Sequence, residues 1–117
     1  MLRVVILMPS IDDLDTPAIL IDAARAEANI KKAQAHADRH GLKLRPHIKT
    51  HKLPYWAKKQ VAAGAVGITC QKIGEAEVMA GAGLSDIFLP HNILGRAKLQ
   101  PLKALHGRVT LLVTACS

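Results

Sequence analysis

Short apolar or alternating runs recur along the chain and are separated by longer segments with helical spacing. Such short runs, bounded by glycine, proline and polar residues, are typical of buried strands. Five of them begin near residues 18, 44, 66, 86 and 109. They are AILID (18–22), LRPHIK (44–49), VGITCQ (66–71), DIFLP (86–90) and RVTLLV (108–113). The pattern predicts five strands with a helix after each of the first four.

Helix boundaries follow from the capping residues. Asp22 is placed to cap the first helix. Arg39, His40 and Gly41 are expected to end that helix near residue 40. Pro54 can open the second helix at its first turn, and Gly64 can end it. The third helix is predicted from about residue 73 to 79. The fourth carries Pro101 inside its apolar pattern and is predicted to break there into two short pieces.

Strands that alternate with helices call for a parallel sheet with right-handed crossovers. The spacing of roughly 20 to 26 residues between strand starts fits both a (β/α)8 barrel and an open doubly wound sheet. A closed barrel needs eight strands and typically about 250 residues. Five βα units in 117 residues would therefore be only the first half of a TIM barrel.

Composition and charge narrow the class of protein. Half of the residues are apolar, as in one globular domain, and no early apolar run is long enough for a membrane span. Two cysteines without metal spacing fit a reducing, cytoplasmic compartment. Residues 25–59 hold ten Lys or Arg and only two acids, which suits an anionic partner. Because aromatic residues make up only 3% of the chain, a small phosphorylated ligand is favoured over nucleic acid.

The stretch LRPHIKTHK concentrates this positive charge. On a strand, Arg45, His47 and Lys49 would share one face, and Lys49 would lie at the carboxyl end, where parallel α/β enzymes place their chemistry. Burial and neighbouring cations both favour a neutral, nucleophilic amine. The alternative is that the strand ends early and that HIKTHK is an exposed basic loop.

A resemblance rests on RPHIKTHK, AAGAVGITCQKIGEAEVMAGAG and DIFL. These motifs resemble the N-terminal half of the fold-type III pyridoxal phosphate (PLP) enzymes, whose barrel is of the alanine racemase type. The D-threonine aldolase and D-serine dehydratase group is the most similar, over about residues 13–105. The resemblance implies that Lys49 carries PLP as a Schiff base. It also implies an incomplete barrel domain at 13–117, with an N-terminal extension at 1–12.

The resemblance further implies a lyase acting on β-hydroxy-D-amino acids, in a truncated form. Alternatives are a D-serine dehydratase-like deaminase, a racemase of the same fold, or a non-catalytic fragment with a basic anion-binding surface. A divalent metal is expected only in a full-length relative, so no metal ligand is assigned here. The expected partners are the amino acid substrate and a second copy or a complementing C-terminal half. Neither a membrane nor a specific nucleic acid is expected.

Other residues take lesser roles. Within the resemblance, His47, Gln71 and Arg45 are expected to contact the cofactor, with Arg45 as support rather than catalyst. Cys70 is predicted to be a small buried apolar residue. Acids at the start of the third helix favour its dipole, which indicates a structural role; they are Glu75 and Glu77.

Overall fold

The computed structural model describes residues 10–115. In this range the chain forms a three-stranded sheet and four α-helices. The strands are β1 (Ile68–Thr69), β2 (Asp86–Leu89) and β3 (Thr110–Val113). The helices are α1 (Ala23–Arg39), α2 (Pro54–Ala62), α3 (Ile73–Gly81) and α4 (Leu99–His106). Most of the predicted 1–12 extension lies outside the described residues.

The sheet is parallel, as predicted, with strand order β1-β2-β3. Ile68 pairs with Ile87, and Ile87 pairs with Leu111, so the three strands are in simple register. Residues 44–47 run along the free edge of β1. There the Thr69 N–H donates to the Pro46 carbonyl at 2.8 Å, and His47 forms a parallel bridge with Thr69.

The predicted ends of α1 and α2 are confirmed. The Asp22 carboxylate accepts the Arg25 N–H at 2.9 Å, which satisfies one of the free donors at the start of α1. Pro54 is the first residue of α2, where a missing N–H costs nothing. Beyond α2, Gly64 has φ +122°, a conformation that glycine adopts without strain.

One face of the sheet packs against helices α2, α3 and α4. The core on this face joins Ile68, Ile87 and Leu89 from the strands with the helical residues Ala57, Ala76, Met79 and Leu105. Neighbouring helices contact one another, and α1 packs on α2. These elements form one layer of helices over one parallel sheet, an α/β arrangement.

The first predicted strand is wrong. Residues 18–22 form no strand and all of them are exposed, with Ile19 94% exposed. A run of apolar residues becomes a strand only when a neighbouring main chain pairs with it. No main chain among residues 10–115 pairs with residues 18–22, so this segment stays outside the sheet.

The second predicted strand ends early. After the bridge at His47 the chain enters a 3-10 turn at Ile48–Thr50, because the His47 ring accepts the Lys49 N–H at 3.2 Å and bends the chain. Alternation still holds up to Ile48, which is fully buried in the core. Of the five predicted strands, three are present among residues 10–115, and a fourth is reduced to one bridge.

The predicted break in the fourth helix is also wrong in position. A 3-10 turn at Arg96–Lys98 leads into α4, and Pro101 is the third residue of that helix. The first four N–H groups of a helix have no intrahelical partner, so a proline there removes no hydrogen bond. The helix continues to His106.

Candidate functional site

The carboxyl end of the sheet gathers several polar residues. Gln71 follows β1, while His91 and Asn92 follow β2. Lys49 lies on the turn that leaves residues 44–47, which we call the Lys49 turn (residues 48–52). Parallel strands end at the same edge, so these segments lie side by side.

Lys49 is exposed, so the predicted burial of its amine is wrong for the described residues. The 3-10 turn removes it from the strand and turns its side chain out of the row that Arg45 and His47 occupy. Lys49 forms no ion pair with any residue in the range 10–115. Its amine is therefore open to react with a carbonyl group.

His47 joins the Lys49 turn to the end of β1. Its Nδ1 accepts the main-chain N–H of Lys49 at 3.2 Å, and its Nε2 lies 3.2 Å from the Gln71 Oε1. Since Nδ1 is an acceptor, the neutral ring carries its proton on Nε2 and donates it to the Gln71 amide oxygen. One imidazole thus fixes both the lysine main chain and the glutamine side chain.

A second link involves Lys52 and Glu75. The Lys52 Nζ lies 3.2 Å from one Glu75 carboxylate oxygen, and the other oxygen accepts the Gln71 N–H at 2.9 Å. Burial opposes the charge of Glu75, but these hydrogen bonds and the lysine outweigh it, so the pKa of Glu75 is lowered. Glu75 lies in the first turn of α3, where the helix dipole also favours an acid.

His51 closes the Lys49 turn on the side of α2. Its Nδ1 accepts the Leu53 N–H at 3.0 Å, just before α2 begins. Burial disfavours the charged ring and lowers the pKa of His51. This histidine is therefore a neutral structural group at neutral pH.

Arg45 lies at the opposite end of the strands. It is level with Gly67, two residues before the His47 bridge, and its guanidinium contacts the Asp86 carboxylate at 2.7 Å. A Cβ atom on Gly67 would overlap both partners, so glycine is required for the arginine to cross β1. The structure places Arg45 apart from His47 and Gln71, and its contact with a cofactor stays a prediction.

Cys70 behaves as predicted. Its side chain is fully buried in the core, and burial, with a smaller contribution from Glu75, raises the pKa of the thiol to about 12. A thiol in this environment stays protonated and unreactive. It packs as a small apolar residue on the helix side of the sheet.

A cavity of about 430 Å³ opens beside Gln71 at the carboxyl end. Its lining includes Gln71 and Gly74 on one side and His91, Asn92 and Lys98 on the other. Cavities of roughly 300 to 1,000 Å³ accommodate small-molecule ligands. Another cavity, of about 460 Å³, lies between α1 and α2 and contains none of the predicted site residues.

The sequence alone does not identify the partners that hold the two ends of the strands. Lys52 belongs to the basic stretch LRPHIKTHK, and Asp86 is the first residue of a predicted strand. The ion pairs that they form join residues 23 and 41 positions apart, which no local pattern reveals. One signal in the sequence could have indicated the pair with Lys52. Glu75 is an acid at a predicted helix start, and the predicted sheet brings a basic segment close to it.

Among residues 10–115, no helix is long and apolar enough to cross a bilayer. The same residues contain no cluster of three or more His, Cys, Asp or Glu side chains that could hold a metal ion. No family model matches the chain.

Comparison with known proteins identifies the family. A D-threonine aldolase of an Arthrobacter species is 48% identical over 92 residues, which are 79% of this chain and 24% of that protein. A D-threo-3-hydroxyaspartate dehydratase of a Delftia species is 49% identical over 74 residues, 63% of this chain and 20% of that protein. The crystal structure of D-threonine aldolase from Filomicrobium marinum superimposes with a TM-score of 0.88 at 39% identity, covering 92% of this chain and 29% of that one.

The fold thus matches part of a fold-type III PLP enzyme. Within this class, the chain is homologous to D-threonine aldolases and 3-hydroxyaspartate dehydratases. The chain spans about a quarter of the length of the curated relatives that it matches.

Proposed function

We propose that the chain supplies the cofactor-bearing lysine of a PLP-dependent lyase that acts on β-hydroxy-D-amino acids. The observation that carries this proposal is the placement of Lys49 at the carboxyl end of parallel strands, exposed and without an ion pair to any of residues 10–115. The named activities of the relatives, aldol cleavage and dehydration of such amino acids, support the substrate class.

The residues present fit the cofactor. A primary amine is available for a Schiff base, and the cavity beside Gln71 offers the amide of Gln71 and the ammonium of Lys98 to a polar ligand. The positive charge of residues 25–59 suits a phosphorylated molecule. When bound, PLP withdraws electrons from the bonds at the substrate's α-carbon.

Each predicted site residue then has a distinct task. Lys49 attaches the cofactor, and His47 fixes the main chain of Lys49 while it orients Gln71. Gln71 is the polar group that contacts the cofactor or substrate from the end of β1. Arg45 supports the site from the amino end of the strands through Asp86.

We also propose that residues 13–117 are the first part of a (β/α)8 barrel. Sequential strand order, with helices packed together on one face, supports a barrel over a doubly wound sheet, which has helices on both faces. A second copy or a chain equivalent to the rest of the relatives would then complete the barrel. The cytoplasm is the proposed location, from the cysteine content.

Chemical trapping tests the role of Lys49. The 117-residue chain is incubated with PLP and reduced with borohydride, and the modified lysine is mapped by mass spectrometry. We expect the label on Lys49 and its loss in Lys49→Arg, which keeps the charge but cannot form the linkage. A label carried chiefly by Lys43 or Lys58 would contradict the proposal.

The relatives leave two reactions in the same class. Aldol cleavage releases glycine and an aldehyde, whereas dehydration releases ammonia and a keto acid, so the products separate them. The Delftia relative favours dehydration as the second candidate. A basic surface that only binds anions is distinguished by salt, because phosphate contacts weaken steeply with ionic strength while a reduced linkage persists.

A further inference from the structure

Glu75 is the centre of the contacts that hold the Lys49 turn. One carboxylate oxygen lies 3.2 Å from the Lys52 Nζ, and the other accepts the Gln71 N–H at 2.9 Å. Its side chain is only 14% exposed, whereas that of Lys52 is 61% exposed. A largely buried carboxylate therefore anchors an exposed lysine to the loop after β1.

The main chain at Lys52 needs such support. Lys52 has φ +52°, and its N–H donates to the Ile48 carbonyl at 2.8 Å to close the turn. The left-handed conformation is unfavourable for residues with a Cβ atom and persists when surrounding contacts hold it. The ion pair with Glu75 is formed by the residue that carries this strain.

The ion pair also separates two neighbouring amines. Lys49 and Lys52 leave the same turn, and either could reach a carbonyl ligand at the carboxyl end of the strands. Glu75 holds the Lys52 ammonium toward the start of α3, while Lys49 has no ion pair within the described part of the chain. Only one of the two amines is left to react.

We propose that Glu75 is a positioning residue for Lys49. It fixes the Lys49 turn through Lys52 and the main chain of Gln71, and it keeps the Lys52 amine from competing for the carbonyl ligand. This inference rests on the proposed function of Lys49, and it adds a reason why that lysine is selected.

The first test measures selectivity. Glu75→Gln keeps an acceptor for the Gln71 N–H but loses the charge that holds Lys52. After PLP and borohydride, we expect the ratio of label on Lys49 to label on Lys52 to fall about two- to fivefold, the range for one half-exposed ion pair. An unchanged ratio would overturn the inference.

Glu27→Gln is the matched control for this substitution. Glu27 pairs with Lys59 at 2.7 Å on the outer helices, so the same change removes a similar ion pair away from the Lys49 turn. Its labelling ratio should equal that of the wild type. If the ratio fell as far as in Glu75→Gln, the change in net charge would explain both results, and the positioning role of Glu75 would be contradicted.

The second test needs no cofactor. Amide hydrogen exchange at residues 51 and 52 reports the turn, since both N–H groups donate to the Ile48 carbonyl. Lys52→Met removes the ion pair and keeps the strained backbone conformation, whereas Lys52→Arg keeps the charge. We expect exchange about two- to fivefold faster in Lys52→Met and unchanged in Lys52→Arg.

The two readouts separate this inference from the proposed function. If the wild type gives no label on Lys49, the proposed function fails, while the exchange rates still decide whether Glu75 holds the turn. If Lys49 is labelled but Lys52→Met is as protected as the wild type, the positioning role is wrong and the proposed function stands.

Discussion

The two ends of the parallel strands are built differently. At the amino end, Arg45 crosses over Gly67 to Asp86, and both charged side chains are largely covered, at 21% and 34% exposure. At the carboxyl end, Lys52 pairs with Glu75 while 61% of the lysine side chain stays exposed, and Lys49 is exposed beside it. The charged pair at the amino end is therefore largely shielded from solvent, whereas the contacts at the carboxyl end are more exposed. We call the carboxyl end the lightly held end.

This difference matches the division of labour known in parallel α/β proteins. Their chemistry lies at the carboxyl ends of the strands, and residues at the other end contribute to stability. Substitutions at the amino end should therefore lower the stability of the chain, whereas those at the carboxyl end should change reactivity more than stability.

The largest effect on stability is expected at Gly67. In Gly67→Ala the new Cβ would lie 2.6 Å from the Asp86 carbonyl oxygen, and main chain cannot move aside cheaply. We expect the free energy of unfolding to fall by about 2–3 kcal/mol, as for overpacked sites, measured by urea denaturation.

Gly81→Ala is the control for this glycine. Gly81 is the last residue of α3, and a Cβ there meets no atom within 4 Å. Alanine should stabilise the helix by up to about 1 kcal/mol. If both variants unfolded at the same urea concentration, the close approach of Arg45 and Asp86 would not be a constraint on this fold.

A smaller effect is expected when the ion pairs at the two ends are compared. Arg45→Met leaves the partly covered Asp86 without its cation and should cost about 1–2 kcal/mol, between the values for exposed and buried pairs. Lys52→Met removes the more exposed cation and should cost about 0.5 kcal/mol. Urea midpoints measured for both variants give the comparison.

Arg25→Met calibrates these two values. Arg25 and Asp22 are 3.7 Å apart and mostly exposed, so this substitution should change stability by less than about 0.5 kcal/mol. If Lys52→Met lost more stability than Arg45→Met, the carboxyl end of the strands would be the more tightly held one, which would contradict the difference inferred between the two ends.

Local signals predicted much of this fold. The caps at Asp22 and Pro54, strands β2 and β3, the parallel arrangement and the burial of Cys70 all follow from neighbouring residues in the sequence. Each depends on interactions within one element, or on an alternation that a buried face imposes.

The failures depend on partners that a local pattern does not contain. Residues 18–22 have the composition of a strand, but no main chain among residues 10–115 pairs with them. Lys49 leaves its predicted row because the ring of His47, two positions earlier, accepts its N–H. Glu75 looked like an ordinary acid at a helix start, and only the fold brings Lys52 to it.

The smallest effect on stability is expected when the pH is lowered, and it should arise at the carboxyl end of the strands. Burial lowers the pKa of His51 below its ordinary value of 6.5, so the unfolded chain binds this proton more readily than the folded chain does. The stability that His51 contributes is thus complete above pH 6.5 and declines as the pH falls through that value.

In His51→Asn the amide oxygen can still accept the Leu53 N–H without titrating, so the decline in stability should be smaller. Urea midpoints at pH 8 and pH 5.5 measure it, and subtracting the two proteins cancels the other histidines. An equal decline in both would mean that the lightly held end is not the part of the fold that acid weakens through His51.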